Sequence, residues 1–217
     1  MANTNKKIAK NYGVAQTKVE SRFAPYASCD DLIKMFKERL EVGTDNISLL
    51  KKITSLLDKK DCTENEVFYT AAIQLHELDP TAKSAYDMGN MSIAKKNYSD
   101  AVSYYNQAIQ LQEDIDSKAS YYLKLTYAYQ MKGAYSDARS AANSAANLNP
   151  TSGLPYIALG DIYFLESNYV YSAIVYNSVL ENDPMNVSLI NKIGLSYYNG
   201  FEWAKAVTIW ENLLKLS

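Results

Sequence analysis

The side chains in this chain best suited to act as nucleophiles or metal ligands are two cysteines and a single histidine: Cys29, Cys62 and His76. A structural zinc site needs four ligands, and the spacing of these three residues matches no zinc motif. His76 lies on a predicted helix, where a lone histidine is typical of a solvated face. No glycine-rich phosphate loop occurs in the sequence. We therefore predict no catalytic residue, no metal site and no cofactor.

The two cysteines occupy matching places on neighbouring predicted helices. Cys29 precedes a helix that starts at Asp30, and Cys62 follows a helix that ends near Lys60. The midpoint between the cysteines falls on a turn near Asp45, so an antiparallel hairpin would bring the two sulfur atoms together at its open end. One alternative is a disulfide, which would indicate an oxidising compartment. The other is a pair of unrelated, half-buried thiols.

Helical patterns surround both cysteines in the range 29–81, which we predict to form degenerate helical hairpins. The first helix covers Asp30 to Glu41 and is capped by Ser28, and Val42 to Asp45 form the turn after it. A second helix carries the apolar stripe Leu49, Leu50, Ile53, Leu56 and Leu57. A capping box from Thr63 to Glu66 opens the third.

The range 1–28 is predicted to be an N-terminal helix and linker. Its helix covers about residues 4 to 22 and is read as part of a truncated repeat, and Pro25 separates it from the rest of the chain.

From residue 82 onward one pattern recurs at a nearly constant interval. Aromatic rings follow one another at steps of 37, 34 and 34 residues: Tyr98, Tyr135, Tyr169 and Trp203. A small residue stands three positions after each ring: Ala101, Ala138, Ser172 and Ala206. Before each ring comes a pair of the Leu-Gly type: Met88-Gly89, Leu125-Thr126, Leu159-Gly160 and Ile193-Gly194. A period this constant indicates an array of identical supersecondary units.

The recurring residues resemble the tetratricopeptide repeat, a pair of antiparallel helices A and B. In the third unit the matching residues are Tyr156, Leu159, Gly160, Tyr163, Ser172, Tyr176 and Pro184. In the fourth they are Ile190, Ile193, Gly194, Tyr197, Ala206 and Trp210. The second unit departs with Thr126 in place of glycine, and the first with Glu113 in place of the closing proline.

The resemblance implies an all-α fold, a right-handed superhelical solenoid of antiparallel helix pairs. Four repeats are expected, at about 82–118, 119–152, 153–186 and 187–217. Gly89, Gly160 and Gly194 are expected where the two helices of a pair approach closely, with aromatic rings filling the space beside them.

The resemblance also implies a concave groove lined by the A helices. Registration on the Leu-Gly pairs places eight side chains there: Tyr86, Asn90, Tyr127, Gln130, Asp161, Phe164, Asn191 and Tyr198. Rings and amides of this kind suit an extended peptide or a partner helix. Tyr86 and Leu123 stand where a clamp for a C-terminal carboxylate would have basic residues. This argues against the subtype of groove that binds a C-terminal carboxylate.

The expected function is therefore a non-enzymatic scaffold that binds a protein or peptide in its groove. A structural module that assembles through the ends of the array is the alternative, and an enzyme of the cell envelope is a third. The net charge of −2 supplies no basic surface for nucleic acid. No apolar stretch is long enough for direct membrane insertion.

The sequence is compatible with two cellular compartments. Residues 1–7 lack the hydrophobic core of a signal peptide, so the protein is either cytoplasmic or an exported protein whose leader has been removed. The range 45–80 is similar to exported repeat proteins of the Bacteroidetes, and bridged cysteines would favour a bacterial periplasm or cell envelope.

The last helix is expected to form a self-association edge. Repeat arrays commonly end in a polar capping helix, and none follows here before Ser217. Trp210, Leu213 and Leu214 are therefore predicted to support weak association with another copy.

Overall fold

The computed structural model describes residues 27–41 and 45–214. Within these ranges the chain forms eleven α-helices and no β-strand, which confirms the all-α prediction. The chain divides into two compact units, Met1–Pro80 and Thr81–Ser217. The predicted helix at residues 4 to 22 and most of the predicted turn after Glu41 lie outside the described residues.

The first unit contains three described helices, α1 (Cys29–Glu41), α2 (Ile47–Asp58) and α3 (Glu66–Leu78). Ser28 caps α1 as predicted, because its hydroxyl accepts a hydrogen bond from the backbone N–H of Asp31 at 3.2 Å. The predicted capping box at Thr63 is wrong. Asn65 caps α3 instead and accepts a hydrogen bond from the backbone N–H of Phe68 at 2.9 Å, because an asparagine directly before the helix reaches an unpaired N–H of the first turn.

A disulfide joins Cys29 at the start of α1 to Cys62 after the end of α2, with their Cα atoms 5.9 Å apart. The pairing predicted from the hairpin geometry is thereby confirmed. The bond ties α1 to an apolar core whose large, fully buried members come from all three helices: Leu32, Phe36, Leu50, Ile53, Leu57 and Phe68.

The second unit consists of four helix pairs. The A helices are α4 (Ala82–Ala94), α6 (Ile115–Met131), α8 (Leu154–Leu165) and α10 (Val187–Asn199). The B helices are α5 (Tyr98–Leu111), α7 (Tyr135–Leu148), α9 (Tyr169–Leu180) and α11 (Trp203–Leu214). Each helix packs on the next one along the chain. The predicted repeat boundary after residue 118 falls inside α6, because Asp114 caps that helix by accepting a hydrogen bond from the N–H of Ser117 at 2.8 Å.

The turn between the helices of each pair is built in the same way four times. One residue adopts a left-handed conformation in every turn, at Lys96, Gly133, Ser167 and Phe201. The next residue donates its N–H to a carbonyl five positions earlier, for example from Asn168 to Tyr163 at 2.8 Å. This is the Schellman arrangement, which ends helix A and reverses the chain within three residues.

An aromatic ring of helix B lies directly on a glycine of helix A in three of the four pairs. A Cβ atom at the glycine would overlap the ring in each case: Gly89 with Tyr105, Gly160 with Tyr176, and Gly194 with Trp210. The prediction that these glycines permit close helix approach is confirmed, and the cause is the ring, which needs the space of the missing side chain.

The second pair reverses this arrangement. Thr126 replaces the glycine, and the residue sixteen positions later, where the other pairs carry a ring, is Ala142. Both residues are fully buried. The threonine hydroxyl donates to the carbonyl of Tyr122 at 2.8 Å, so no polar atom is left without a partner. The departure from the repeat pattern is thus an exchange of a glycine and a ring for two small side chains.

This exchange can be tested with a double-mutant cycle. Gly160→Thr and Tyr176→Ala should each lower the free energy of unfolding, the first by overlap and the second by leaving a cavity. The double variant recreates the Thr126–Ala142 pair and should be less destabilised than the sum of the single changes by about 1–3 kcal/mol. Urea unfolding followed by circular dichroism measures the three values, and strictly additive losses would contradict the packing described.

The disulfide should be present in protein purified without reductant. Its intact mass should be lower than that of the reduced protein by two hydrogen atoms. With 33 residues of sequence separation, reduction should destabilise the first unit by roughly 3–4 kcal/mol. Cys29→Ser combined with Cys62→Ser should match the reduced protein and should no longer respond to reductant. Free thiols at both positions would argue against the bond.

Candidate functional site

A pocket of about 530 Å³ opens on the A-helix side of the second unit. Three successive A helices and one B helix line it with nine residues: Tyr127, Gln130, Met131, Asp161, Phe164, Leu165, Tyr176, Lys192 and Leu195. We call this the groove pocket. Its volume is typical of sites that hold a compact ligand or the side chains of a bound segment.

The charged part of the groove pocket is an ion pair between Asp161 on α8 and Lys192 on α10. The hydroxyl of Tyr176 also donates a hydrogen bond to the carboxylate of Asp161. Burial raises the pKa of the Tyr176 phenol, and the hydrogen bond to Asp161 raises it further. The phenol therefore stays protonated at neutral pH and remains a donor. The ammonium of Lys192 lies 5.5 Å from the centre of the same ring, within reach of a cation–π contact.

Buried hydroxyl groups hold the helices beneath this ion pair. Ser172 on α9 donates to the carbonyl of Gly160 at 2.8 Å, and its Oγ lies 3.1 Å from that of Ser196. Ser196 donates in turn to the carbonyl of Lys192 at 2.8 Å. The bond from Ser172 to Gly160 joins α9 to α8, and the contact between the two hydroxyls, in which either oxygen can donate, joins α9 to α10.

The walls of the groove pocket are apolar and accessible to solvent. Four large side chains are between 44% and 50% exposed: Tyr127, Met131, Leu165 and Leu195. The side-chain amide of Gln130 donates to the carbonyl of Ala158 at 3.3 Å, which joins α6 to α8. Exposed apolar side chains gathered in one concavity mark an interaction site more strongly than the same residues scattered singly.

Four of the eight predicted groove residues line this pocket, namely Tyr127, Gln130, Asp161 and Phe164. Asn191 is exposed on α10 but does not line it. Tyr198 is also exposed, with its ring 6.2 Å from that of Trp210. Asn191 directly precedes Lys192, and Tyr198 lies one turn beyond Leu195.

The other two predicted residues take part in packing at the first helix pair. The ring of Tyr86 stacks on that of Tyr121 with centroids 4.5 Å apart, and burial raises the pKa of the Tyr86 phenol. Asn90 accepts a hydrogen bond from the hydroxyl of Tyr105 at 2.8 Å. Asn90 and Asp161 thus stand at the same repeat position and bind the same ring of helix B.

Sequence reasoning missed five residues of the groove pocket: Met131, Leu165, Tyr176, Lys192 and Leu195. Leu195 could have been found, because it directly follows Gly194 as Asp161 follows Gly160. Met131 and Leu165 share a position at the last turn of helix A, one residue beyond the predicted Gln130 and Phe164. The repeat pattern predicts only a packing role for Tyr176, whereas in the structure its hydroxyl contacts Asp161 and its ring lies near Lys192.

The predicted self-association residues differ in exposure. Trp210 is half-buried and lies against Gly194 of its own pair. Leu213 is half-buried, and Leu214 is 75% exposed. Among the described residues of α11, Ala206 alone is buried, whereas α5, α7 and α9 each bury at least four residues. Trp203 and Val207 extend the exposed apolar surface of this helix.

No three histidine, cysteine, aspartate or glutamate side chains come together as a metal site in the ranges 27–41 and 45–214. None of the helices described in those ranges combines the length and the apolar character needed to span a membrane.

Comparison with known proteins shows what this fold is similar to. Neither a protein-family model nor a curated protein sequence matches the chain. Among solved structures, MamA from Desulfovibrio magneticus matches with a TM-score of 0.68 and 14% identity, covering 80% of this chain and 96% of that one. YrrB, described as a TPR protein with an unusual peptide-binding site, matches with a TM-score of 0.63 and 17% identity over 84% and 92% of the two chains.

A third structure covers nearly the whole sequence. A tetratricopeptide repeat protein from Parabacteroides merdae matches 97% of this chain and 78% of its own length, with a TM-score of 0.67 and 12% identity. Identities this low establish shared architecture and leave the ligand open. Together with the four helix pairs and their glycine–ring contacts, these matches show that the chain has the tetratricopeptide-repeat fold.

Proposed function

We propose that this protein is a non-enzymatic scaffold whose second unit binds a segment of a partner protein in the groove pocket. One observation carries the proposal: three successive A helices present exposed apolar side chains to a single concavity. A partner segment lying across α6, α8 and α10 would bury Tyr127, Met131 and Leu195 together. Aromatic and flexible apolar residues of this kind are typical anchors at protein interfaces.

The solved relatives support the same class of function. The description of YrrB names a peptide-binding site, and repeat arrays present extended surfaces suited to other proteins. The fold by itself does not decide the function, so the proposal depends on the groove pocket of this chain.

We further propose an oxidising compartment, such as the periplasm or cell envelope of a bacterium. The support is the disulfide between Cys29 and Cys62, since such bonds persist mainly outside the reducing cytosol. Rapid alkylation of intact cells that produce the protein, followed by mass spectrometry, measures the state of the two thiols. Alkylated cysteines at both positions would place the protein in a reducing compartment.

A second candidate function is assembly through α11, favoured by the exposed apolar side chains Trp203, Val207 and Leu214 on that helix. Association of two copies would cover this surface. The two candidates involve different residues and can be separated by substitution.

Peptide binding can be tested by panning a random peptide library on the intact chain. Tyr127→Ala should weaken the binding of selected peptides about tenfold or more, as expected for an aromatic anchor. Tyr171→Ala is the matched control, because Tyr171 on α9 is also half-exposed but does not line the groove pocket. Fluorescence anisotropy measures both affinities. Loss of binding with Tyr171→Ala and not with Tyr127→Ala would move the site to the B helices.

Assembly through α11 predicts concentration-dependent association in light scattering. Leu214→Glu should reduce it, because a charge would have to be buried at the interface. Thr208→Glu adds the same charge to an exposed position of α11 that is already polar and should have less effect. A single species of one chain at every concentration would remove the assembly candidate.

A further inference from the structure

We infer that the groove pocket takes uncharged, apolar side chains of a bound peptide segment and rejects charged ones, a terminal carboxylate included. This inference rests on the proposed peptide-binding function and adds the chemistry of the ligand. The occupant we commit to is a segment of a partner protein that places side chains such as leucine, isoleucine, methionine or phenylalanine in the pocket.

The charge balance of the lining is the first support. Asp161 and Lys192 are the two charged residues among the nine that line the pocket, and they are paired with each other. The carboxylate also accepts the hydrogen bond from Tyr176. The lining therefore has no net charge, and each of its charges already has a partner.

The position of the ion pair is the second support. A carboxylate that approached Lys192 would also approach Asp161, and an ammonium that approached Asp161 would also approach Lys192. Either ligand would meet a like charge at close range, which is strongly unfavourable in a partly dehydrated interface. An apolar side chain meets no like charge, and the ion pair and the Tyr176 hydrogen bond keep both charges partnered when the ligand covers them.

The apolar walls are the third support. Tyr127, Met131, Leu165 and Leu195 come from three helices and surround the ion pair with exposed carbon surface. Covering that surface removes it from water, which is favourable for an apolar ligand and not for a charged one. Methionine adapts its shape to different apolar partners. The pocket therefore requires an apolar side chain but does not require one particular residue type.

The first helix pair of this chain suggests a substitution that removes the charge of Asp161 and keeps its hydrogen bond. In the first helix pair Asn90 accepts the hydrogen bond from Tyr105, at the repeat position that Asp161 occupies in the third. Asp161→Asn therefore keeps an acceptor for Tyr176 while removing the negative charge. Lys192→Met keeps an unbranched side chain, one atom shorter, while removing the positive charge.

The test is to pan one random linear peptide library on the intact wild-type chain, on Asp161→Asn and on Lys192→Met. Peptides are scored only when Tyr127→Ala weakens their binding, and circular dichroism confirms that each variant is folded. The wild type should select apolar residues at the anchor position, the peptide position whose side chain enters the groove pocket. Asp161→Asn, with Lys192 unpaired, should add aspartate and glutamate. Lys192→Met, with Asp161 unpaired, should add lysine and arginine.

A synthetic peptide from the wild-type selection provides the quantitative arm. Replacing its anchor by glutamate should weaken binding to the wild type about tenfold or more, and Asp161→Asn should recover much of that loss. Wild-type selection of charged anchors would overturn this inference while leaving the proposed function in place. A library that yields no peptide dependent on Tyr127 would instead remove the proposed function, and the inference with it.

Discussion

The second unit depends on one packing contact, in which a ring of helix B lies on a helix A position that has no side chain. Gly160 and Tyr176 show the consequence most fully, because the ring can reach across helix A only where the Cβ is absent. Once the ring lies there, its hydroxyl emerges on the far side and meets Asp161. The close approach that holds a helix pair together therefore also places a polar group in the groove pocket.

The four pairs vary the side chains at this position. The second pair has Thr126 on helix A and Ala142 on helix B, so no ring of helix B lies across helix A there. Tyr127, the next residue, is left exposed there as an apolar wall. In the fourth pair Trp210 lies on Gly194, and Leu195 takes the place of a polar acceptor. A structural repeat thus produces a non-repeating surface, because packing constrains one face of helix A and leaves the other free.

The electrostatics of the groove pocket follow from the same arrangement. Asp161 comes from the third pair and Lys192 from the fourth, so their ion pair forms only when the two pairs are stacked. Partly exposed ion pairs contribute little to stability, and the contact between the Oγ atoms of Ser172 and Ser196 joins the same two pairs independently of it. The ion pair has its larger effect on the ligand, because it leaves a pocket with apolar walls and no net charge.

The sequence by itself determined the helix pairs, their order and the proximity of the two cysteines. Constant spacing of rings and glycines reports contacts within a pair, and hairpin geometry placed Cys29 beside Cys62. It also found the part of the groove that follows the repeat register, such as Tyr127 and Asp161. Only the tertiary structure decided the rest. The ring of Tyr86 stacks on that of Tyr121, and Lys192 reaches Asp161. Both contacts join neighbouring repeats and depend on how closely one pair stacks on the next, a distance that no spacing within a single repeat encodes.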